Sequence, residues 1–368
     1  MVLLLCLVCA VVIFQSIQFR PNLDDENEKH GVEFYTFTKV LTMPGGDDIP
    51  SSPPWSVPTV PIVSEPWHLD HNSTRASSPR YLTTKFFMSP GQGNLMFQYA
   101  SLFGMAWRYN ASLVIPEGML IRRAFRLDNA IVATYRLSMY FLKNWKRVFY
   151  AQCCRYYEET EHLENGTHFA LYGYFQSYKY FHTADMQLRQ AIKAQFTFLP
   201  QIESEARTRI DKALIRWRSV TNRSIDNRPI LIGIHVRRGL DMTWNTRNQQ
   251  HGHTVATKGY FLKAMQYFRD KFKHVLFIAC TDDYYWTKQN IGHFSDVQIA
   301  SSHTREVDMC VLAMCNHTIM SQGTFSWWAA YLAGGDTVYY NGWPRTNSPL
   351  ATMLRKEDFF LPEWIPME

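Results

Sequence analysis

A basic cluster directly after an apolar run is the strongest chemical signal in the sequence. The segment His235-Val-Arg-Arg-Gly follows Pro229-Ile-Leu-Ile-Gly-Ile, a run too apolar to face water on either side, which predicts a buried strand. Ligands of open α/β sheets bind beyond the carboxyl ends of the strands, and arginine side chains there can hold a diphosphate. Adjacent residues of an extended segment point to opposite faces, so one of Arg237 and Arg238 is expected to reach the anion and the other to support the turn. A surface pair that only ends a strand is the alternative.

A polar segment at a predicted strand-to-helix junction is the second candidate. Ser321-Gln-Gly-Thr-Phe-Ser lies between a predicted strand, His317–Met320, and a helix predicted over residues 325–333. Hydroxyls and free amides at a helix N-terminus attract anions, and Gly323 permits a close approach to the backbone. The candidate binding residues are Ser321, Thr324, Phe325 and Ser326. An ordinary Ser/Thr helix cap is the alternative, and Trp327 and Trp328 are predicted to be core residues.

Two further candidates stand at similar points of the chain. Gly93 and Asn94 follow a predicted strand, Thr83-Thr-Lys-Phe-Phe-Met-Ser, and open a predicted helix, so we expect them to face the same ligand. A structural turn is the alternative for this pair. Asp308 precedes an apolar helical stretch, and its position by itself is typical of a helix cap.

The periodicity around these residues predicts two successive α/β runs. The first has strands at 83–89, 112–115 and 167–174 and helices at 94–109, 184–196 and 202–218. The second has strands at 229–236, 275–280, 317–320 and 337–340 and helices at 260–272, 305–315 and 325–333. The polar stretch Arg218–Asn227 is interpreted as an interdomain connection. The predicted fold class is α/β, with two Rossmann-like domains, residues 81–225 and 226–368, that face a cleft.

The first eighty residues have a different character. Residues 1–19 carry no charge and would reach roughly 28 Å as a helix, close to the thickness of a bilayer's hydrocarbon core. They predict a membrane anchor, with a cleaved signal peptide as the alternative. Eight of the seventeen prolines lie between Leu41 and Arg80, which predicts a flexible stem over residues 20–80, because proline lacks the amide donor that helices and central strands need.

Composition limits the classes of function. With 46% hydrophobic and 19% charged residues among 368, the chain has enough apolar surface for packed domains and is not predicted to be disordered. The formal net charge of +6 comes from scattered basic residues, which argues against nucleic acid as a partner and allows an anionic small molecule. The cysteines beyond residue 19 form no Cys-x-x-Cys pair, so a zinc site is not expected, and Cys280 is predicted to be buried.

Four segments within residues 84–342 carry a resemblance to a known family. They are Gly93-Asn94-Leu-Met-Phe-Gln-Tyr-Ala, Gly173-Tyr-Phe-Gln-Ser, His235-Val-Arg-Arg-Gly and Cys315-Asn-His-Thr-Ile-Met-Ser-Gln-Gly-Thr-Phe-Ser-Trp-Trp-Ala. Together they resemble the GDP-fucose-dependent galactoside α1,2-fucosyltransferases, of the glycosyltransferase family 11 type. The resemblance implies a GT-B-like fold, with residues 81–225 as the acceptor-side domain and residues 226–368 as the GDP-fucose-binding domain. It also implies inverting transfer of L-fucose from GDP-β-L-fucose to the 2-hydroxyl of a terminal β-galactoside.

The resemblance also implies roles for the candidate residues. It implies that the donor is held by His235, Arg237, Arg238, Asp308, Ser321, Thr324, Phe325, Ser326, Gly93 and Asn94. In this set Arg238 would stabilise the leaving diphosphate and Asp308 would read the guanine edge. No cofactor or catalytic metal is implied, and the chain contains no Asp-x-Asp pair of the kind that metal-dependent sugar-nucleotide transferases use.

The sequence departs from the family pattern at one position. The family motif is His-x-Arg-Arg-Gly-Asp. In this chain Leu240 occupies the position of the motif's aspartate, and Asp241 comes one residue later. A shift by one residue would aim the carboxylate differently on an extended segment, although a loop can absorb it. Asp241 is the candidate general base. The alternatives are a fucosyltransferase with another acceptor, of the α1,6 or protein O-linked type, and an inactive glycan- or nucleotide-binding relative.

Five N-glycosylation sequons bear on the compartment. They begin at Asn72, Asn110, Asn165, Asn222 and Asn316. Glycosylation requires these sites to lie in the lumen of the secretory pathway. With the predicted anchor and the family resemblance, the expectation is an N-glycosylated, single-pass type II Golgi membrane protein with a lumenal catalytic domain.

Overall fold

Two parallel β-sheets form the framework of the fold. The computed structural model describes residues 55–66, 80–86, 91–150, 152–164, 166–222, 224, 227–302 and 304–368. Within these ranges each sheet has six strands, and all the paired strands run parallel. The α/β class predicted from the sequence is confirmed. The predicted anchor and the sequons at Asn72 and Asn165 lie outside the described residues.

The strands divide between the sheets in chain order. The first sheet contains β1 (Ile62–Val63), β2 (Tyr81–Thr84), β3 (Ser112–Pro116), β4 (Ile131–Ala133), β5 (Lys146–Phe149) and β6 (Phe169–Tyr172). The second contains β7 (Ile230–Val236), β8 (Val275–Thr281), β9 (Val297–Ile299), β10 (His317–Met320), β11 (Thr337–Tyr340) and β12 (Ile365–Met367). Strands β10 and β11 have the bounds that the sequence predicts.

Helices connect the strands. They are α1 (Gln92–Arg108), α2 (Tyr135–Asn144), α3 (Met186–Gln195), α4 (Pro200–Thr221), α5 (Leu240–Thr243), α6 (Thr246–His251), α7 (Lys258–Lys271), α8 (Tyr284–Asn290), α9 (Arg305–Ala313), α10 (Gly323–Ala333), α11 (Pro349–Met353) and α12 (Lys356–Phe359). Three short 3₁₀ turns occupy Leu120–Arg123, Glu158–Glu161 and Tyr178–Tyr180. Several of the helices begin at side-chain caps, such as Thr134 before α2, Asp185 before α3 and Asp283 before α8.

Each sheet has a point at which the strand order reverses. The second sheet has the order β12-β11-β10-β7-β8-β9, so the chain moves outward from β7 to β9 and then returns to β10 on the other side of β7. The first sheet, with the order β1-β4-β3-β2-β6-β5, reverses between β2 and β6. Ligands of open parallel sheets bind at such reversals, beyond the carboxyl ends of the strands.

The packing between the two halves is aromatic and dry. Helix α1 of the first half packs on α10 of the second, and the rings of Phe97 and Trp327 lie 4.5 Å apart between centroids. Trp327 and Trp328 are fully buried, which confirms them as core residues. The indole nitrogen of Trp327 donates to the carbonyl of Phe359 at 2.7 Å. One hydrophobic core therefore extends across both sheets.

Two segments differ from their predicted structure. Helix α4 continues to Thr221, into the stretch predicted as a connection, because Ala206, Ile210, Ala213 and Trp217 bury one face at helical spacing. Part of the predicted stem is ordered against the first sheet, where Ile62 pairs with Val132 and the indole of Trp55 donates to Arg123 O at 2.8 Å. No helix within the described ranges combines the length and the apolar character needed to cross a bilayer.

Gly93 allows α1 and α10 to touch, which generates a stability prediction. A Cβ at this position would lie 2.5 Å from the carbonyl carbon of Thr324, a backbone atom that cannot turn away. We expect Gly93→Ala to lower the free energy of unfolding by about 1–3 kcal/mol, the usual cost of overpacking. The measurement is urea unfolding followed by tryptophan fluorescence.

The matched control for this prediction is Gly118→Ala. A Cβ on Gly118 would meet no atom within 4 Å, so this variant keeps the same change of residue type without the collision. We expect it to unfold at the wild-type urea midpoint. Equal midpoints for Gly93→Ala and Gly118→Ala would show that the helix contact tolerates a methyl group.

Candidate active site

The two predicted anion-binding segments lie side by side at the reversal point of the second sheet. Strands β7 and β10 are neighbours, with Met320 opposite His235. Just beyond them, the Ser321 amide donates to the carbonyl of His235 at 3.2 Å, and the Ser321 hydroxyl accepts from the amide of Arg237 at 3.2 Å. The sheet register therefore brings together segments that are more than eighty residues apart in the chain.

His235 is buried beneath this junction. Its Nδ1 contacts the hydroxyl of Ser326 and lies 3.5 Å from that of Ser321, while the ring packs 4.9 Å from the ring of Phe325. Burial lowers the pKa of His235 to about 3, and the nearby charge of Arg237 adds to this effect. His235 is therefore neutral at physiological pH and connects β7 to α10 through hydroxyl groups.

The two arginines have different surroundings, as the alternation of an extended segment predicts. Arg237 lies over the first turn of α10, where its Nη1 is 3.7 Å from the position a Cβ would take on Gly323. Gly323 has a φ of +86°, a left-handed conformation that favours glycine. The other terminal nitrogen of Arg237, Nη2, is 2.5 Å from Oδ2 of Asp241. A third of the Arg237 side chain is exposed, so this guanidinium can meet a ligand.

Arg238 is directed toward β8 and α8. Its guanidinium carbon is 4.1 Å from the centre of a Trp286 ring, and Nη1 donates to the carbonyl of Ala256 at 2.7 Å. Burial lowers the pKa of Arg238, against the charges of Asp283 and Asp282, which raise it. The Arg238 amide donates to Oδ1 of Asp282 at 2.6 Å. Because these contacts already engage its side chain, the structure favours Arg237 over Arg238 for contact with an anion.

Asp241 is exposed on the first turn of α5. Half of its side chain is open to solvent, and its ion pair with Arg237 spans four residues along the chain. The sequence raised the question of whether the one-residue shift caused by Leu240 would turn this carboxylate away. Leu240 begins α5, and the carboxylate of Asp241, the next residue, contacts the guanidinium of Arg237. The role of Asp241 as a base stays a prediction.

The first turns of α1 and α10 meet at Gly93 and Asn94. Oδ1 of Asn94 accepts from the Thr324 hydroxyl at 2.7 Å and from Nε2 of Gln176, just beyond β6, at 2.9 Å. Neither first turn contains an acidic residue. Two helix N-termini therefore converge where the reversal points of both sheets approach, and each favours an anion by about 0.3–1 kcal/mol, or up to about 2 kcal/mol when partly buried.

Sequence reasoning did not select several residues that build this site. Gln176 belongs to the segment Gly173-Tyr-Phe-Gln-Ser, and its Oε1 accepts from the thiol of Cys154 at 3.1 Å. Gln322 donates to the carbonyl of Arg237 at 2.9 Å, and its buried Oε1 has no hydrogen-bond partner among the described residues. Asp282 is exposed directly after β8, and its Oδ1 supports the arginine turn by accepting from the amide of Arg238; its position at the end of a predicted strand was the available signal.

Asp308 and the cysteines occupy structural positions. Asp308 lies in the first turn of α9, and its Oδ1 accepts from the amide of Ser302 at 2.5 Å, in the segment before the helix, whereas the N-cap of α9 is Thr304. A role for its carboxylate toward guanine stays a prediction. Cys280 is buried within β8, as the sequence predicts, and burial raises the pKa of its thiol.

The neutral state of His235 predicts a specific pH dependence of stability. An unfolded histidine titrates near pH 6.5, whereas folded His235 stays neutral down to about pH 3. Between these values only the unfolded state takes up the proton, so acid lowers the free energy of unfolding by up to about 1.4 kcal/mol per pH unit. We expect His235→Asn to reduce this slope in urea unfolding between pH 4 and 7. Exposed His293→Asn is the control, and equal slopes for the two variants would contradict the assignment.

The amino-acid sequence of this chain matches one glycosyltransferase family and several of its members. The profile of glycosyl transferase family 11 matches residues 72–368. Galactoside 2-alpha-L-fucosyltransferase Sec1 of Mus musculus is 29% identical over 329 residues, which cover 85% of this chain and 78% of the relative. Galactoside alpha-(1,2)-fucosyltransferase 2 of Rattus norvegicus is 32% identical over 294 residues, or 74% of this chain and 73% of the relative.

A solved structure is similar at lower identity. The fucosyltransferase NodZ from Bradyrhizobium is 14% identical over 69% of this chain and 92% of its own, with a TM-score of 0.43. The family profile covers most of the chain and includes both converging helices and every strand of the two sheets except β1. The chain therefore belongs to glycosyl transferase family 11.

Proposed function

We propose that this protein is an inverting galactoside α1,2-fucosyltransferase that uses GDP-β-L-fucose as its donor. The observation that carries the proposal is the convergence of the N-termini of α1 and α10 beneath the partly exposed guanidinium of Arg237. The names of the family 11 relatives supply the reaction, since those proteins are galactoside fucosyltransferases. The two parallel sheets, each with its own reversal, support a GT-B-like arrangement.

The diphosphate of the donor fits the convergent helix ends. Free amides of α10 and the guanidinium of Arg237 supply donors and positive charge where no acidic side chain lies in either first turn, and Thr324, whose hydroxyl donates to Asn94, holds the two turns together. Arg237 would leave Asp241 in part when the diphosphate arrives, because a phosphate oxygen competes for the same guanidinium. His235, which is neutral, would position Ser321 and Ser326 without adding charge.

The proposed reaction is a single in-line displacement. The 2-hydroxyl oxygen of galactose attacks C1 of fucose, the bond from C1 to the β-phosphate oxygen breaks, and its electron pair leaves with GDP. The hydroxyl proton passes to a base, for which Asp241 is the candidate. Arg237 and the helix amides would stabilise the charge that develops on the leaving phosphate, an effect worth about 3–4 kcal/mol for one well-placed donor.

Two parts of the proposal concern the donor's other end and the metal. Asp308 is proposed to accept from the guanine N1 and N2 hydrogens, which the two oxygens of one carboxylate can receive together. We propose that no metal ion takes part, because Arg237 and two helix N-termini supply the charge compensation that a divalent cation would otherwise give.

The cellular setting is part of the proposal. We propose a type II Golgi membrane protein, anchored by residues 1–19 and connected by a stem, with its catalytic part in the lumen. Asn110 and Asn222 are exposed at helix ends, which suits N-glycosylation. Asn316 is exposed as well, and its hydrogen bond with the amide of Leu231, at 2.9 Å, uses Oδ1 and not the Nδ2 that would carry a glycan.

The activity prediction is tested with the lumenal fragment, residues 20–368. Incubated with labelled GDP-fucose and lactose-like galactosides, it should form an α1,2-linked product, and EDTA should leave the rate unchanged. An N-glycan core and a folded peptide acceptor distinguish the α1,6 and protein O-linked alternatives. Transfer only to those acceptors, GDP binding without turnover, or loss of rate with EDTA would each contradict the corresponding part of the proposal.

The two arginines are predicted to give different defects. Arg237→Ala should reduce kcat by about 10²–10³-fold while the thermal midpoint stays near the wild-type value, because its side chain is partly exposed and its ion pair is with the exposed Asp241. Arg237→Lys should recover part of the rate, because lysine keeps the positive charge but lacks the planar guanidinium that can bind a phosphate through two hydrogen bonds.

Arg238→Ala is the comparison variant for this test. It removes the contacts with Trp286 and Ala256, so the thermal midpoint should fall together with the rate. Kinetics with GDP-fucose and thermal unfolding measure both properties for each variant. A large kcat loss at an unchanged midpoint for Arg238→Ala, with Arg237→Ala active, would reverse the assignment.

A further inference from the structure

Exposed aromatic side chains lie beside the Arg237–Asp241 pair and have no role in the proposed donor site. Trp244, at the end of α5, is 80% exposed, and Leu240 on the same helix is 63% exposed. Tyr285, in the first turn of α8, is 79% exposed, with Tyr284 next to it at 50%. Large aromatic groups left in water at the rim of a site are typical of binding surfaces.

The geometry of α5 places the indole near the carboxylate. The amide of Trp244 donates to the carbonyl of Leu240 at 3.0 Å, so the helical turn includes both residues. Residues three apart in a helical turn share a face, with Cβ atoms about 5–6 Å apart, which applies to Asp241 and Trp244. Asp241 in turn contacts Arg237 above the first turn of α10. The exposed indole is thus one helical turn from the proposed reaction centre.

The tyrosines extend the same edge toward β8. A Cβ on Gly239 would lie 2.8 Å from Oδ2 of Asp282 and 3.2 Å from Oδ1 of Asp241, so these two carboxylates flank one glycine. Tyr284 and Tyr285 begin α8 two and three residues after Asp282. The aromatic groups of α5 and α8 therefore lie at the ends of adjacent strands, β7 and β8, on the edge that carries the candidate site.

We infer that Trp244, together with Tyr285 beyond the end of the adjacent strand β8, forms the platform on which the β-galactoside acceptor lies. One face of a galactose ring presents C–H groups, which pack against an aromatic ring, while its hydroxyl edge needs polar partners. The separation of Trp244 and Asp241 suits one sugar ring, with the C–H face on the indole and the 2-hydroxyl toward the carboxylate. Tyr285 contacts the next sugar of the glycan. This inference rests on the proposed function and names the acceptor side of that same site.

The platform assigns acceptor recognition to the second half of the chain. The family resemblance predicts that the acceptor-side domain is residues 81–225, which contain most of the first sheet. The exposed aromatic groups instead follow β7 and β8, the strands that also carry the arginines and Asp282. The candidate base, Asp241, and the acceptor platform, Trp244, would then both belong to the short helix α5 and its end. Binding of the sugar on Trp244 would therefore also position its 2-hydroxyl at Asp241.

The test is steady-state kinetics of Trp244→Ala, Trp244→Phe and Tyr285→Ala with lactose and GDP-fucose. Trp244→Ala should raise the KM for lactose about tenfold or more, and Trp244→Phe should recover most of the loss because an aromatic face remains. The KM for GDP-fucose and the slow hydrolysis of GDP-fucose without acceptor should stay at the wild-type values. Tyr285→Ala should affect a tetrasaccharide acceptor more than lactose.

Trp107→Ala is the matched control. Trp107 is also exposed, at 42%, but lies near the other end of α1, about 21 Å along the helix from Gly93. Its KM for lactose should equal the wild-type value. A wild-type KM for lactose in Trp244→Ala, or a change of oligomeric state in that variant in place of the KM effect, would overturn the platform. A wild-type protein that neither hydrolyses nor transfers from GDP-fucose would instead overturn the proposed function.

Discussion

The backbone contact between two helix N-termini is the constraint on which the rest of the structure depends. The first turn of α1 reaches the backbone of Thr324 and Phe325 in α10 at Gly93, where no Cβ fits. Because α1 follows β2 and α10 follows β10, this contact brings the reversal points of both sheets to one place. Asn94 then connects the two halves, because its Oδ1 accepts one hydrogen bond from Gln176 in the first half and one from Thr324 in the second. The result is a concentration of amide donors with no acidic side chain in either turn.

Burial distributes charge unequally around that contact. His235 lies deepest, and its low pKa keeps it neutral, so it organises hydroxyl groups and leaves the positive charge to the arginines. The side chain of Arg238 contacts Trp286 and a backbone carbonyl, while that of Arg237 remains partly exposed over α10. The three charged or titratable residues of one motif thus have different roles. His235 positions hydroxyl groups, Arg238 supports the turn, and Arg237 provides a cation that a ligand can reach.

The exposed rim contrasts with this buried network. Helix α5 is only four residues long, yet it carries Asp241 in its first turn and is followed by the indole of Trp244. Its N-cap, Gly239, is held between the carboxylates of Asp241 and Asp282, which leaves the turn little freedom. A constrained turn at Gly239 beside exposed aromatic side chains suits the proposed site, which would enclose a charged donor and still admit glycans of varying length.

The sequence by itself determined the α/β class, the bounds of strands such as His317–Met320, the burial of Trp327 and Trp328, and the family, because apolar periodicity and short motifs are local properties. It also predicted that Arg237 and Arg238 would diverge, since an extended chain alternates its side chains. Only the tertiary structure decided which arginine faces the helix ends, that Asp282 supports their turn and that Asn94 meets Thr324. Those outcomes depend on sheet register and on helix packing between residues up to 230 positions apart, which no local pattern encodes.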